Sequence, residues 1–239
     1  MTPQLYFSCE SLAADGTTQS TLKAVAPAHF VIAGWTGRDA DAIQHHIHEL
    51  ELLGVPAPST VPLYYRGSAT LLTQADTIEV IGFESSGEAE PVLFHASGEW
   101  WLTVGSDHTD RKVETYSVAV SKQMCPKPIA KAAWRWTDVA GYQDELELHS
   151  RIFEHGKWVD YQKGTFASIR PLDSLRDGCY PGEAVDAGSF VSCGTLTAIK
   201  NAAGEGIRPA AQMELEIRDP RRQRSIIHRY AVDMLPVIA

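Results

Sequence analysis

The sequence is short of the features that mark several common protein classes. Basic residues are the minority: 21 Lys and Arg stand against 30 Asp and Glu, a formal net charge of −9. A nucleic-acid binder needs a dominant basic face, so this balance argues against one. No apolar run is long enough to span a membrane. The opening residues, MTPQLYFSCESLAADG, lack the basic region and long apolar stretch of a secretory signal. The few cysteines, Cys9, Cys125, Cys179 and Cys193, show no C-x-x-C spacing. They read as small core residues of a reducing compartment, and a cytoplasmic home is expected. There is no P-loop, no G-x-G-x-x-G after a strand, no G-x-S-x-G and no H-E-x-x-H. His48-Glu49 comes nearest to the last, but the second His is missing.

What remains is a chain of ordinary globular composition, 44% hydrophobic and 21% charged, without repeats or low-complexity segments. Its 239 residues suffice for one large domain, with or without a small N-terminal lobe. Leu5, Phe7, Val25 and Phe30–Ala33 read as short strands around an Asp15-Gly16 turn. Asp39 is a plausible N-cap for a helix through about Leu53, closed by Gly54, with Ile43, Ile47 and Leu50 as its buried stripe. Strands are expected at Leu63–Tyr65, Ile78–Ile81, Val92–Phe94 and Trp100–Val104, the last two joined by a Ser97-Gly98 turn. Ala130–Trp136 reads as a short helix, Glu145–Gly156 as a strand into a turn, and 166–176 as a helix broken by Pro171. Gln212–Arg218 and Ser225–Leu235 read as a strand pair around the basic turn Asp219–Arg224, whose cations suit a solvated hairpin tip better than a phosphate site.

The chemistry concentrates in Gly105–Pro126, GSDHTDRKVETYSVAVSKQMCP, and in Glu88-Ala-Glu90 just upstream. Alternate residues of an extended chain leave one face, so Glu88 and Glu90 share a side. With Asp107 they make an all-oxygen set suited to Mg²⁺, Mn²⁺ or Ca²⁺. Spacing alone favours solvated loop charges with incidental salt bridges. The helix after Asp39 holds His46 and Glu49, neighbours at a three-residue step. A carboxylate-held His is a general base near neutral pH; a histidine-rich exposed face fits the same residues. Zinc at His45 with His48 or Glu49 is a weaker alternative, because no further ligand at zinc spacing follows.

Taken together, these motifs resemble the fumarylacetoacetate hydrolase superfamily. Asp107 and Arg111 keep its four-residue step. Glu114 stands where Gln is usual, and Lys122 with Pro126 matches its lysine segment. His46-Ile-His-Glu49, then Pro56-Ala-Pro58 and Pro62-Leu-Tyr-Tyr-Arg66, follow its order, with Arg66 replacing a lysine. Gln162, Gly164 and Thr165 match a later segment, and Tyr180-Pro-Gly-Glu183 with Ser192-Cys-Gly-Thr195 match another. The likeness covers about residues 34–200.

The resemblance implies an α+β, mostly β fold, a mixed β-sandwich roll. Residues 1–55 would form N-terminal strands and a lid helix, and 56–239 the catalytic domain. It implies a divalent-metal-dependent hydrolase or lyase cleaving a carbon–carbon bond in a small β-diketo or α-keto acid through a stabilised enolate. Oxaloacetate-type decarboxylation, tautomerisation and hydration share that chemistry, and a non-catalytic acid-binding module is the alternative of another class. Glu88, Glu90 and Asp107 would hold Mg²⁺ or Mn²⁺, with Ca²⁺ also admitted and no organic cofactor. His46, Glu49 and Lys122 would be catalytic. Arg66, Arg111, Glu114, Gln162 and Thr195 would bind a small anionic oxo-acid, and a homodimer is expected.

Overall fold

The computed structural model describes residues 4–52, 57–180 and 185–238, and within the first helix the backbone but not the side chains of residues 46 and 49–52. In chain order the elements are β1 (Leu5–Leu12), β2 (Thr18–Val25), β3 (His29–Gly34), α1 (Ala40–Leu52), β4 (Leu63–Gly67), β5 (Leu72–Thr73), β6 (Thr77–Ile81), β7 (Ser85–Ser86), β8 (Ala89–Ala96) and β9 (Glu99–Ser106). There follow β10 (Thr109–Asp110), α2 (Arg111–Glu114), α3 (Val118–Ser121), β11 (Lys127–Pro128), β12 (Ala132–Arg135), β13 (Glu147–Glu154), β14 (Lys157–Thr165), α4 (Leu172–Cys179), β15 (Ser189–Ser192), β16 (Gln212–Asp219) and β17 (Arg224–Leu235). The protein is mostly β, as its alternating patterns require.

Two sheets carry the fold, in the orders β2-β1-β12-β9-β8-β15-β3-β4 and β14-β13-β16-β17-β6. The larger sheet is mixed: β1 runs parallel to β12, and β15 parallel to β3. The first strands are therefore woven into the sheet that carries β8 and β9. Alternation along β8 divides two cores. Leu93 joins Leu102, Leu148, Leu215 and Ile217 between the sheets. Val92 and Phe94 join Phe7, Ile32, Trp101 and Phe190 on the other face.

That second face is concave. β1 and β8 are separated by β12 and β9, so a flat sheet would hold them roughly 14 Å apart. Yet the rings of Phe7 and Phe94 stack with centroids 4.2 Å apart, and Phe94 lies 5.3 Å from Phe190. The sheet must curl to bring them together, and aromatic burial stabilises the curl. The result is a roll backed by the smaller sheet.

Most expected elements are present. α1 starts where Asp39 Oδ1 accepts the Asp41 and Ala42 amides, both at 3.0 Å, and Ile47 is buried. The β8–β9 hairpin turns at Ser97 (φ 55°) and Gly98 (φ 78°), the left-handed pair that a two-residue hairpin demands. Two segments differ from expectation. Ala132–Arg135 is a strand, not a helix, because it fills the slot between β1 and β9 and aligns Trp134 with Leu102. Pro171 begins α4 instead of breaking a helix: lacking an amide proton, it is tolerated where helical donors are unpaired anyway. The basic turn is a hairpin tip, pinned by Arg221 to Glu145 and by Arg224 to Asp219 and Glu10. No described helix is long and apolar enough to cross a membrane.

Candidate active site

The concave face changes character at the N-terminal end of β8, where Glu90 stands on the same side as Val92 and Phe94. Next to it β9 ends at Ser106, and the chain turns through Asp107 into β10. Two contacts fix this turn: the Asp107 amide donates to the Glu88 carbonyl at 3.0 Å, and β10 pairs with β7. Asp110 caps α2 by accepting the Val113 amide at 2.9 Å, which returns Arg111 toward the turn. The short helices α2 and α3 then deliver Lys122, and β11 delivers Lys127.

Asp107 is 2% exposed and receives both lysines. Lys127 Nζ donates to Oδ1 at 2.9 Å, and Lys122 Nζ pairs with Oδ2. Burial alone would raise the Asp107 carboxyl, but the two ammonium groups outweigh it and hold it well below the usual range. Lys122 is the reciprocal case: burial favours its neutral form, yet Asp107, then Glu90 and Glu88, keep it charged. One ammonium thus feels all three carboxylates. Lys127 is pushed down, chiefly by burial, and also donates to the His108 carbonyl.

Glu88 is held by Arg111 Nη2 at 2.8 Å, and the same guanidinium reaches Glu114 at 3.0 Å. Glu90 differs from both other carboxylates. Its Oε2 accepts from the Ser192 hydroxyl and, at 3.2 Å, from the Gly194 amide, with no cation in hydrogen-bond contact among the described residues. Burial first, and Asp107 next, push it up to about 8. Gly194 sits at φ +89°, and a Cβ there would collide with the Thr36 side chain, so only glycine presents this amide.

Of the expected site residues, Glu88, Glu90, Asp107, Arg111, Glu114 and Lys122 come together. Gln162 and Thr195 meet the backbone of Ala89, between the two glutamates. Arg66 does not join them: its neighbour Tyr65 faces Lys122, so Arg66 points to the opposite side of β4, where it pairs with His29. The side chains of His46 and Glu49 lie outside the described residues, as does Pro181–Glu183.

A sequence model described as "Protein of unknown function (DUF2848)" matches residues 33–230. The chain belongs to the DUF2848 family. No curated protein matches this DUF2848 chain by sequence. Among solved structures it is similar to the apo form of 2-keto-3-deoxy-D-arabinonate dehydratase, at 11% identity and TM-score 0.63, over 98% of this chain and 99% of that one. The same dehydratase "complexed with magnesium and 2,5-dioxopentanoate" aligns at 13% identity and TM-score 0.57, over 90% and 77%. A 4-oxalocrotonate decarboxylase from Pseudomonas putida G7, complexed with calcium and acetate, aligns at 16% and TM-score 0.50, over 85% and 76%. These likenesses show a shared fold. Both enzymes are members of the fumarylacetoacetate hydrolase superfamily that the motifs resemble.

The donor set of this DUF2848 protein fits a hard divalent cation: three carboxylates, one of them buried without a cation in contact among the described residues. Among the described residues no three Asp, Glu, His or Cys side chains form a ready ligand group. Lysines hold both oxygens of Asp107, and Arg111 holds one oxygen of Glu88.

Several residues were missed by sequence reasoning. Lys127 is 1% exposed in the apolar run Cys125–Ala130, and the cost of burying an unpaired ammonium was the signal that it has a partner. His108 left no such signal. It is 1% exposed, with Nδ1 3.0 Å from the Tyr230 hydroxyl and Nε2 3.0 Å from Ser85 Oγ. Burial, reinforced by Lys127, pushes it down to about 3, so it is a neutral strut behind the turn.

Proposed function

We propose that this protein is a divalent-metal-dependent lyase or hydrolase acting on a small keto acid. The observation that carries the reading is the grouping of three carboxylates around one turn: the Asp107 amide donates to the Glu88 carbonyl at 3.0 Å, Asp107 is buried against Lys122, and Glu90 is buried two residues along from Glu88. Glu88, Glu90 and Asp107 hold the cation, Mg²⁺ or Mn²⁺, with Ca²⁺ as the alternative. When bound, that ion supplies Lewis-acid polarisation of the substrate's oxygens.

The protein's own groups do the rest. Arg111 and Lys122 bind the substrate carboxylate and offset the negative charge that grows on the keto oxygen. Glu114 keeps the Arg111 fork oriented through their ion pair. In the resemblance Arg66 shares the carboxylate, but here it is turned to His29, so Arg111 and Lys122 carry that role. For a hydrolytic reaction His46 takes a proton from water and Glu49 orients its ring. Residues 1–55 then contribute the lid helix to a catalytic unit of 56–239, and two copies form the working dimer. These last assignments rest on the motif resemblance.

Carbon–carbon cleavage, decarboxylation and dehydration of keto acids share the same first demand, stabilising negative charge next to a carbonyl. The dehydratase and decarboxylase with this fold support that class. The test is turnover of acylpyruvates, oxaloacetate and 2-keto-3-deoxy sugar acids by chelator-stripped protein, with and without Mn²⁺. Metal-dependent consumption of at least one is expected. Metal binding without turnover of any would favour a non-catalytic acid-binding module.

A further inference from the structure

Gln162 and Thr195 match motif positions that suggest substrate contact, but their hydrogen bonds are committed elsewhere. Gln162 is 1% exposed, and all its capacity is spent inside the protein. Its Oε1 accepts the Ala89 amide at 2.8 Å and the Ser150 hydroxyl at 2.7 Å. Its Nε2 donates to Thr195 Oγ1 at 2.5 Å and to the Leu196 carbonyl at 2.8 Å. The Thr195 hydroxyl in turn donates to the Ala89 carbonyl at 2.8 Å. Each donor meets an acceptor, which fixes the orientation of the amide. Ala89 is therefore gripped from both sides, its N–H by Gln162 and its C=O by Thr195. It is also the residue between Glu88 and Glu90, and the Glu88 carbonyl is tied to the Asp107 amide.

We propose that Gln162 and Thr195 are positioning residues: they clamp the main chain at Ala89 and so set the spacing of the Glu88 and Glu90 carboxylates for a divalent cation. The proposal rests on the cation reading of this site. A slack peptide at Ala89 lets the two carboxylates rotate independently, and supporting hydrogen bonds of this kind are worth about 10- to 100-fold in metal affinity.

The experiment compares the full-length wild type with Thr195→Val, which keeps the shape and removes the hydroxyl, and Thr195→Ser, which keeps the hydroxyl. Calorimetry gives Mn²⁺ affinity, and water-proton relaxivity reports the water ligands on bound Mn²⁺. The valine variant is expected to bind about 10- to 100-fold more weakly, with higher relaxivity as water replaces a carboxylate oxygen, and serine to rescue both. If the valine variant does not fold, Ser150→Ala, which removes one of the four hydrogen bonds that hold Gln162, is expected to weaken affinity in the same direction. Wild-type affinity and relaxivity in a folded variant lacking the clamp overturn the proposal; a raised KM alongside them returns Thr195 to the substrate. A wild type that binds no Mn²⁺ overturns the cation reading and the clamp together.

Discussion

At one end of β8, Phe94 stacks on Phe7 and Phe190 in a core that needs nothing but shape. At the other end of the same face, Glu90 is equally buried and stands among Asp107, Glu88 and Lys122. The aromatic end is held by many small, exchangeable contacts. The charged end depends on particular pairs, because a buried charge that loses its partner keeps its desolvation cost. A loss at the charged end should therefore be recoverable by removing the stranded charge, a loss at the aromatic end only by refilling the cavity, and ligand binding should respond to the charged end only.

The largest expected effect tests that asymmetry. Asp107→Ala strands the Lys122 and Lys127 ammonium groups and should cost about 3–5 kcal/mol in urea unfolding. Adding Lys127→Met should recover part of the loss, since the buried charge leaves with its partner. No recovery would mean that Asp107 acts through packing alone. At the aromatic end, Phe94→Ala should cost about 3–5 kcal/mol through a cavity while leaving Mn²⁺ affinity unchanged. A shifted affinity would show that the two ends are not separable.

A smaller effect concerns the strut. The folded pKa of His108, about 3, lies below the usual value of 6.5. The unfolded chain therefore binds the extra proton between these values. The contribution of His108 is complete above about pH 6.5 and is lost as pH falls toward 3, by at most about 1.4 kcal/mol per pH unit. His228 shifts in the same direction, so the readout is the difference in slope between wild type and His108→Gln. Equal slopes would remove His108 from the account. The smallest effect is expected at the exposed edge, where Arg66→Ala should change stability by no more than about 0.5 kcal/mol. KM for any turned-over keto acid should not change; a raised KM would return Arg66 to the substrate.

The same contrast explains what was legible in the sequence. Alternation made β13 legible, because burial on one face leaves a local trace, whereas β8 and β9 are buried on both faces and were legible as short apolar runs. The strand at Ala132–Arg135 was not legible, since its conformation is imposed by β1 and β9 from distant parts of the chain. The carboxylates, Arg111 and Lys122 could be found because their spacing follows a motif. Their pairing could not: that Lys122 and Lys127 share Asp107, or that Gln162 holds Ala89, depends on contacts between remote segments. Arg66 shows the converse, since a match in order did not fix the side of the strand from which the residue projects.

The proposed cation site of Glu88, Glu90 and Asp107 is central. Its most direct test is calorimetric Mn²⁺ titration of chelator-stripped wild type against Glu90→Gln, which preserves shape and can keep the Ser192 and Gly194 contacts while removing the carboxylate that a cation needs. The account predicts one bound Mn²⁺ in the wild type and an affinity lower by about 100-fold or more in the variant, on the order of 2.7 kcal/mol. Equal binding by both proteins would contradict it, and would place any bound metal away from Glu90.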